Sequence, residues 1–354
     1  MIIATPAASP LLDRVLDHAI MRMLVSLLIA GTLFAAILLL LGTNPLDAYA
    51  AIFRGSLGDS YGWSEILVKV VPFILCAIAA ALPAQLGMIN VGAEGQLQIG
   101  ALTATMAALA FSGLAAPVLL PIVIVAGFLG GALWGGVAGA LRSGPGLNEA
   151  ISTLLLNYVA LRIVDSFTHG LLKDPASFNW PFSPPFVDAA RLPTFGDSRA
   201  HAGLLLALAA IGIVWLLLNR TRWGYEMRVV GGNPEAARRS GLRVGRYLLI
   251  GMLLGGGFAG LAGMIEVSAV NGRLQPGIGV GFGYVGFLAS WLAGSRPFAI
   301  IPMATLLAII AVGGEVLQIS AKIPSSSVNV LMALILFAVL ATRTLRLSGR
   351  LHRA

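Results

Sequence analysis

ALPAQLGMINVGAEGQLQIGALTA, residues 81–104, interrupts an apolar run with residues that a continuous helix does not carry. Pro83 and the glycines Gly87, Gly92, Gly95 and Gly100 fall among the polar side chains of Gln85, Asn90, Glu94, Gln96 and Gln98. Proline removes an amide donor and glycine weakens helix interiors, so the chain is expected to unwind here. At membrane depth, loose backbone and polar groups persist only when buried in protein or beside a watery cavity. The stretch therefore predicts a broken helix facing the inside of a bundle. Asn90, Glu94 and Gln96 are candidates to organise a translocation path, and a structural cap at a helix start is the alternative for Glu94.

The rest of the chain fits that reading. Of 354 residues, 58% are hydrophobic and 11% charged, with mean hydropathy +0.90. Soluble domains carry about 25% charged residues, so this chain is expected to be a polytopic membrane protein. The fold class is all-α, a bundle of about ten helices in one transmembrane domain over 1–354. Spans are expected at Met23 to Leu41, Glu65 to Leu82, Gln98 to Phe111, Pro117 to Leu141, from Asn148 onward, Ala202 to Leu218, 248–270, Phe298 to Ile319 and Ser326 to Ala341, the last two joined around Ile323 to Ser325. The polar N-terminal segment to His18 lies inside and Asn44 to Ser64 forms an outside loop. A half-length helix lies within NGRLQPGIGVGFGYVGFLASWLAG, residues 271–294, which shares the character of 81–104 and adds Asn271 and Gln275 as path candidates. Two interrupted segments in one membrane chain point to an internal repeat with a pathway at its interface.

Several classes of chemistry are excluded. Cys76 is the single cysteine, and His18, His169, His201 and His352 show no HExxH pairing, which argues against a disulfide framework and a zinc enzyme. None of Lys69, Lys173 and Lys322 follows a glycine as a P-loop requires, so the chain is not expected to be an ATPase or another enzyme. The net charge of +8 sits mainly at membrane-flanking ends without an aromatic and basic surface, which makes it a topology signal and not a nucleic-acid one.

Two further stretches carry polar chemistry. In LNEAISTLLLNYVALRIVDSF, residues 147–167, Asn148 can cap a helix and Glu149 suits its positive end. Asn157 lies deeper as a path candidate, and Arg162 and Asp165, three apart on one face, are expected to pair, because an unpaired arginine at mid-membrane costs about 2.5–3.5 kcal/mol. The other stretch, Thr221 to Tyr247, belongs to a loop, 219–247, with seven arginines and two acids. The positive-inside rule places it in the cytoplasm. Within it Asn233 can cap, Pro234 suits the first helical position and Glu235 the positive end, Ala236 and Ala237 continue the helix, Arg238 and Arg239 suit the negative end, and Gly241 can stop it. Residues 170–201, rich in proline and aromatics, form an outside loop.

GGNPEAARRSGLRVGRY at 231–247 resembles the cytoplasmic coupling segment of bacterial ABC-importer permeases of the simple-sugar and nucleoside branch. GMINVGAEGQLQIGA at 87–101 resembles the NIGxEGQ signature of the same branch, and LNEAISTLLLNY at 147–158 is similar to a run in its nucleoside-type members. The resemblance covers roughly Leu67 to Leu340. It implies that Asn233 to Gly241 docks into an ATPase subunit, which binds ATP and magnesium while this chain carries no cofactor. It also implies a second permease chain, a plasma-membrane location and an extracytoplasmic binding protein, which the 170–201 loop contacts unless that loop is simply a lid over the pore mouth; the positive-inside rule places both termini in the cytoplasm. The branch commonly has an acidic residue near Gly283 and Tyr284, which is missing here. The implied cargo is a nucleoside or simple sugar, leaning to nucleoside. The alternative reading is an ion-gradient-driven secondary transporter with Glu94 or Asp165 as coupling carboxylate.

Overall fold

The computed structural model describes residues 19–321 and 326–351, which form thirteen α-helices and no strand beyond an isolated bridge between Thr194 and His201. The polar segment to His18, the turn at 323–325, and Lys322, His352 and Arg353 lie outside the described residues. In chain order the helices are α1 (Ala19–Leu40), α2 (Pro45–Leu57), α3 (Ser60–Ala84), α4 (Ala93–Ala110), α5 (Ala116–Ser143), α6 (Glu149–His169) and α7 (Gly203–Arg220). They continue with α8 (Arg222–Gly232), α9 (Pro234–Arg239), α10 (Val244–Ile265, prolonged by a π-helical turn Glu266–Asn271), α11 (Phe282–Leu292), α12 (Pro297–Ala321) and α13 (Ser326–Leu351). Six of these, α3, α5, α6, α7, α10 and α12, are long and apolar enough to cross a bilayer, and α1 with α2 forms a further apolar pair bent by 116°.

The ten expected membrane helices correspond to α1, α3 to α7 and α10 to α13. The segment expected as an outside loop, Asn44 to Ser64, is instead helical. The Asn44 side chain accepts the Leu46 amide at 3.0 Å and Pro45 takes the first position, so a helix restarts immediately after the bend. Beyond a bend at Gly58 and Asp59, its remaining residues already belong to the first turn of α3.

The chain divides into two compact units. One comprises residues up to 59 and from 309 onward. Within it the Tyr49 hydroxyl donates to the Gly31 carbonyl at 2.5 Å, tying α2 back to α1, and Val316 of α12 fills the space beside Gly55.

The other unit spans 60–308 and holds all of the polar stretches singled out in the sequence, apart from its ends. Its centre is α3, of which 89% of the apolar window is buried. Around it α5 and α10 cross at backbone contact: a Cβ on Gly260 would stand 2.2 Å from the Gly127 carbonyl oxygen. Small residues let membrane helices approach so closely that van der Waals packing, which lipid does not replace, holds them together. The loop 170–201 is strapped down. Ser183 and Leu274 exchange two hydrogen bonds at 2.9 Å, Phe186 donates to Gly272 at 2.8 Å, and Ser268 bridges Ala190 and Leu192.

Candidate functional site

Between α3 and α4 the chain is unwound from Gln85 to Gly92, and most amides of that break have a named partner. Gly87 takes φ +74°, and Met88 donates back to Pro83 at 3.1 Å, which closes α3 in the manner of a left-handed glycine cap. The amides beyond are taken by one face of α6. Glu149 accepts from Ile89 at 3.2 Å, Thr153 from Val91 at 3.2 Å, and Asn157 from Gly95 at 2.8 Å. These three side chains lie four residues apart, so they stack along a single stripe of the helix. Asn157 also donates to the Val91 carbonyl at 3.0 Å. Asn90 and Gln96 pair amide to amide at 3.1 Å in both directions, while Asn90 reaches Ala79 on α3 and the Gly92 amide. An unsatisfied backbone group in lipid costs several kcal/mol, and this ladder removes that cost.

Glu94 joins the first break to the second. Its two carboxylate oxygens accept from the amides of Gly281 at 2.7 Å and Gly283 at 2.8 Å, the first turn of the half-length helix α11. A carboxylate at a helix N-terminus meets both the orphan amides and the positive end of the dipole. Only glycine fits opposite: a Cβ on Gly283 would stand 2.2 Å from the Glu94 nitrogen. The other end of α11 is tied by Gln85, which donates to the Ser295 carbonyl at 3.3 Å. Phe282 is set between Lys69, 5.5 Å above its ring, and Phe73, edge-on at 5.5 Å. The half-helix is thus fixed at both ends by residues flanking the first break.

The basic insert delivers a helix to the same place. Asn233 caps α9 by accepting the Ala236 amide at 3.0 Å, Pro234 is its first residue, Ala237 is buried beneath it, and Gly241 ends it at φ +83°. Glu235 pairs within the helix with Arg238 at 3.5 Å and Arg239 at 3.3 Å, leaving those arginine side chains 63% and 80% exposed. Pairs this exposed contribute little, so both arginines keep their charge for a partner. Just before α9, Gly231 packs against the break: a Cβ there would stand 2.2 Å from the Gln85 carbonyl oxygen. Basic insert and break touch backbone to backbone.

The remaining path candidates lie elsewhere. Asn271 and Gln275 sit half-buried at the far end of α10, bonded to each other at 3.2 Å, with Asn271 also donating to the Glu266 carbonyl. Arg162 and Asp165 form an ion pair at 3.1 Å on α6, with the arginine side chain 81% exposed on the surface of its unit.

A family model described as the permease component of branched-chain amino acid transport systems matches residues 62–340. The chain belongs to that permease family. Among its relatives is the glucose ABC transporter permease of Haloferax volcanii, 33% identical over 334 residues, covering 91% of this chain and 86% of that one. The guanosine ABC transporter permease of Bacillus subtilis is 29% identical over 342 residues, covering 93% and 96%. A nucleoside ABC transporter permease of Lactococcus lactis is 28% identical, covering 89% of each. This permease is a multi-pass membrane protein and a non-enzymatic transport subunit. The ion-gradient alternative is not supported by these relatives, and both oxygens of Glu94 are already engaged by amides. Sequence reading of the permease missed Thr153 and Gly231, and it placed Gln85 among the polar residues of the break without giving it a role. The four-residue spacing of Glu149, Thr153 and Asn157 was a signal that could have found the ladder; nothing in the sequence marks Gly231.

Proposed function

We propose that this permease subunit forms the translocation pathway of an ABC importer for a nucleoside or a simple sugar. The substrate class rests on the named relatives, which handle glucose, guanosine or nucleosides and match nearly the whole chain. Those cargoes share a hydroxylated sugar ring. Separate ATPase subunits binding ATP and magnesium drive it, a second permease chain completes the pore, and a binding protein delivers solute at the 170–201 face. Residues 219–247 and both termini are cytoplasmic in the inner membrane.

The observation that carries the mechanism is the backbone contact of Gly231 with Gln85. ATP-driven closure of the partner moves α9, formed by Asn233 through Arg239 and stopped at Gly241. The contact passes that displacement to the break, and Gln85 and Glu94 pass it to both ends of α11. A nucleotide can bias two pore conformations only through differential contacts, and α9 supplies them. In this reading Asn90, Glu94, Gln96 and Asn157 hold the shape of the path, and Asn271 and Gln275 flank it on the second interrupted segment.

The test is co-purification. An ATP-hydrolysing subunit is expected to accompany the detergent-solubilised chain and to be lost on Arg238→Glu with Arg239→Glu, while membrane insertion persists. Radiolabelled uptake by the complete system then assigns the cargo, and exclusion of both nucleosides and simple sugars would overturn the substrate class.

A further inference from the structure

Beside α9 lies a cavity of about 320 Å³ that shares Gly241 with the end of that helix, while its other lining residues have no part in the transport cycle described above. Its main wall is one face of the start of α10. Arg243, Arg246, Tyr247 and Ile250 follow one another at helical spacing, and the turn begins at Arg243, whose carbonyl accepts the Arg246 amide at 2.9 Å. Trp223 of α8, stacked on Tyr247 with ring centroids 6.4 Å apart, extends the aromatic lining, and Leu242 adds apolar surface. Along about 10 Å of helix the lining passes from guanidinium to aromatic to aliphatic.

The charge in this cavity is uncompensated. Arg243 and Arg246 form no ion pair among the described residues. Glu226, which bonds the lining residue Tyr247 through its hydroxyl, is also engaged by Arg222 at 2.9 Å. Those two donors hold Glu226 below the ordinary carboxylate range, so it stays a paired anion. What fits is a ligand with a phosphate at one end, a polar linker beside the aromatic rings and an alkyl chain at the other. Tryptophan and tyrosine are at home beside lipid headgroups, and arginine suits phosphate recognition.

We propose that the cavity between α8 and α10 binds the phosphate headgroup of an anionic phospholipid of the cytoplasmic leaflet, with its glycerol against Trp223 and Tyr247 and its acyl chain along Ile250. A lipid there fixes α8 and α10 on either side of the coupling helix. The site rests on the reading of 219–247 as cytoplasmic. That reading is checked separately by labelling Ser240→Cys with a membrane-impermeant thiol reagent, since Cys76 is buried.

The experiment is native mass spectrometry of the full-length chain in mild detergent, titrated with phosphatidylglycerol, with phosphatidylcholine and with inorganic phosphate. Wild type is expected to retain phosphatidylglycerol and not phosphatidylcholine. Arg243→Gln with Arg246→Gln should bind it about 30-fold more weakly, since each basic residue near a lipid surface is worth about a factor of five. The double lysine variant should retain most binding, and an unchanged melting temperature in both variants shows that the fold is intact. Equal retention by wild type and the glutamine variant overturns the proposal. So does displacement of the lipid by inorganic phosphate, which would make this a free-anion site, and so does loss of a co-purifying ATPase with lipid retention unchanged, which would make it a protein contact. Labelling of Ser240→Cys only from outside the cell would instead sink the topology while leaving the measured affinity in place.

Discussion

Replacing Glu94 with glutamine removes a charge and turns one acceptor into a donor at the point where the two interrupted segments meet. The carboxylate now accepts from Gly281 at 2.7 Å and Gly283 at 2.8 Å. The glutamine oxygen can keep one of these amides, while its NH2 faces the other donor to donor. A hydrogen bond to a charged group contributes about 1.5–3 kcal/mol, and stranding a buried amide costs a similar amount, so the expected loss is about 2–4 kcal/mol. With about 2–4 °C per kcal/mol for a domain of this size, the melting temperature should fall by roughly 4–16 °C. The assay is thermal unfolding of the detergent-purified permease beside solute uptake by the reconstituted system. Glu94→Ala should fall at least as far, having lost both bonds. A Glu94→Gln variant that melts with the wild type but transports with an altered apparent affinity would refute the capping argument and return Glu94 to direct contact with solute.

Three further outcomes follow from the same geometry. Gly231→Ala places a Cβ 2.2 Å from the Gln85 oxygen, where 3.0 Å is the practical limit, so backbone must move by about 0.8 Å. Overpacking of this kind costs about 1–3 kcal/mol, and the ratio of ATP hydrolysed to solute moved should rise; an unchanged ratio would remove Gly231 from the relay. Thr153→Val keeps the shape of α6 but strands the Val91 amide, which should destabilise by about 1–3 kcal/mol in chemical or thermal unfolding, against little change for Thr305→Val. His201 is buried with neither ring nitrogen hydrogen-bonded, and desolvation, aided by the Arg199 charge, pulls it down to about 4. Between that value and the ordinary 6.5 the unfolded chain holds a proton that the folded chain refuses. Stability should therefore be full above about pH 6.5 and fall by up to about 3 kcal/mol as pH drops toward 4, a slope that His201→Leu should flatten.

The break itself was legible because proline, glycine and polar side chains in an apolar run leave few physical options. The cap of α9 was legible for a similar reason, since Asn233, Pro234 and Gly241 act through backbone chemistry local to each residue. The helix α2 was not anticipated, although Asn44 and Pro45 carry the same kind of local signal. There the segment is read as an outside loop and its cap is passed over. What joins the pieces was hidden for a different reason. The bond from Glu94 to Gly283 crosses 189 positions of sequence, and that from Gln85 to Ser295 crosses 210. No local pattern encodes which of several intramembrane polar groups will meet. Arg162 and Asp165 met because they are neighbours on one helix, whereas Asn271 and Gln275 share their polarity with Asn90 and Gln96 but not their location.

The arrangement also explains why so few polar residues serve a membrane chain of this length. A path through lipid needs unwound backbone, unwound backbone needs partners, and a partner that is itself a buried side chain needs satisfying in turn. Here that chain of requirements closes within a small set: Asn90 satisfies Gln96, Asn157 satisfies a carbonyl of the break and an amide in the first turn of α4, and Glu94 in that same turn satisfies the second break. Because each member holds a different element, α3, α4, α6 and α11 cannot move independently near this point without breaking hydrogen bonds inside a low-dielectric interior, where they are strongest. A push delivered through Gly231 onto Gln85 therefore reaches elements that already act together. The mechanism proposed above then requires a concerted shift of this knot, and single substitutions within it should alter stability and coupling in parallel.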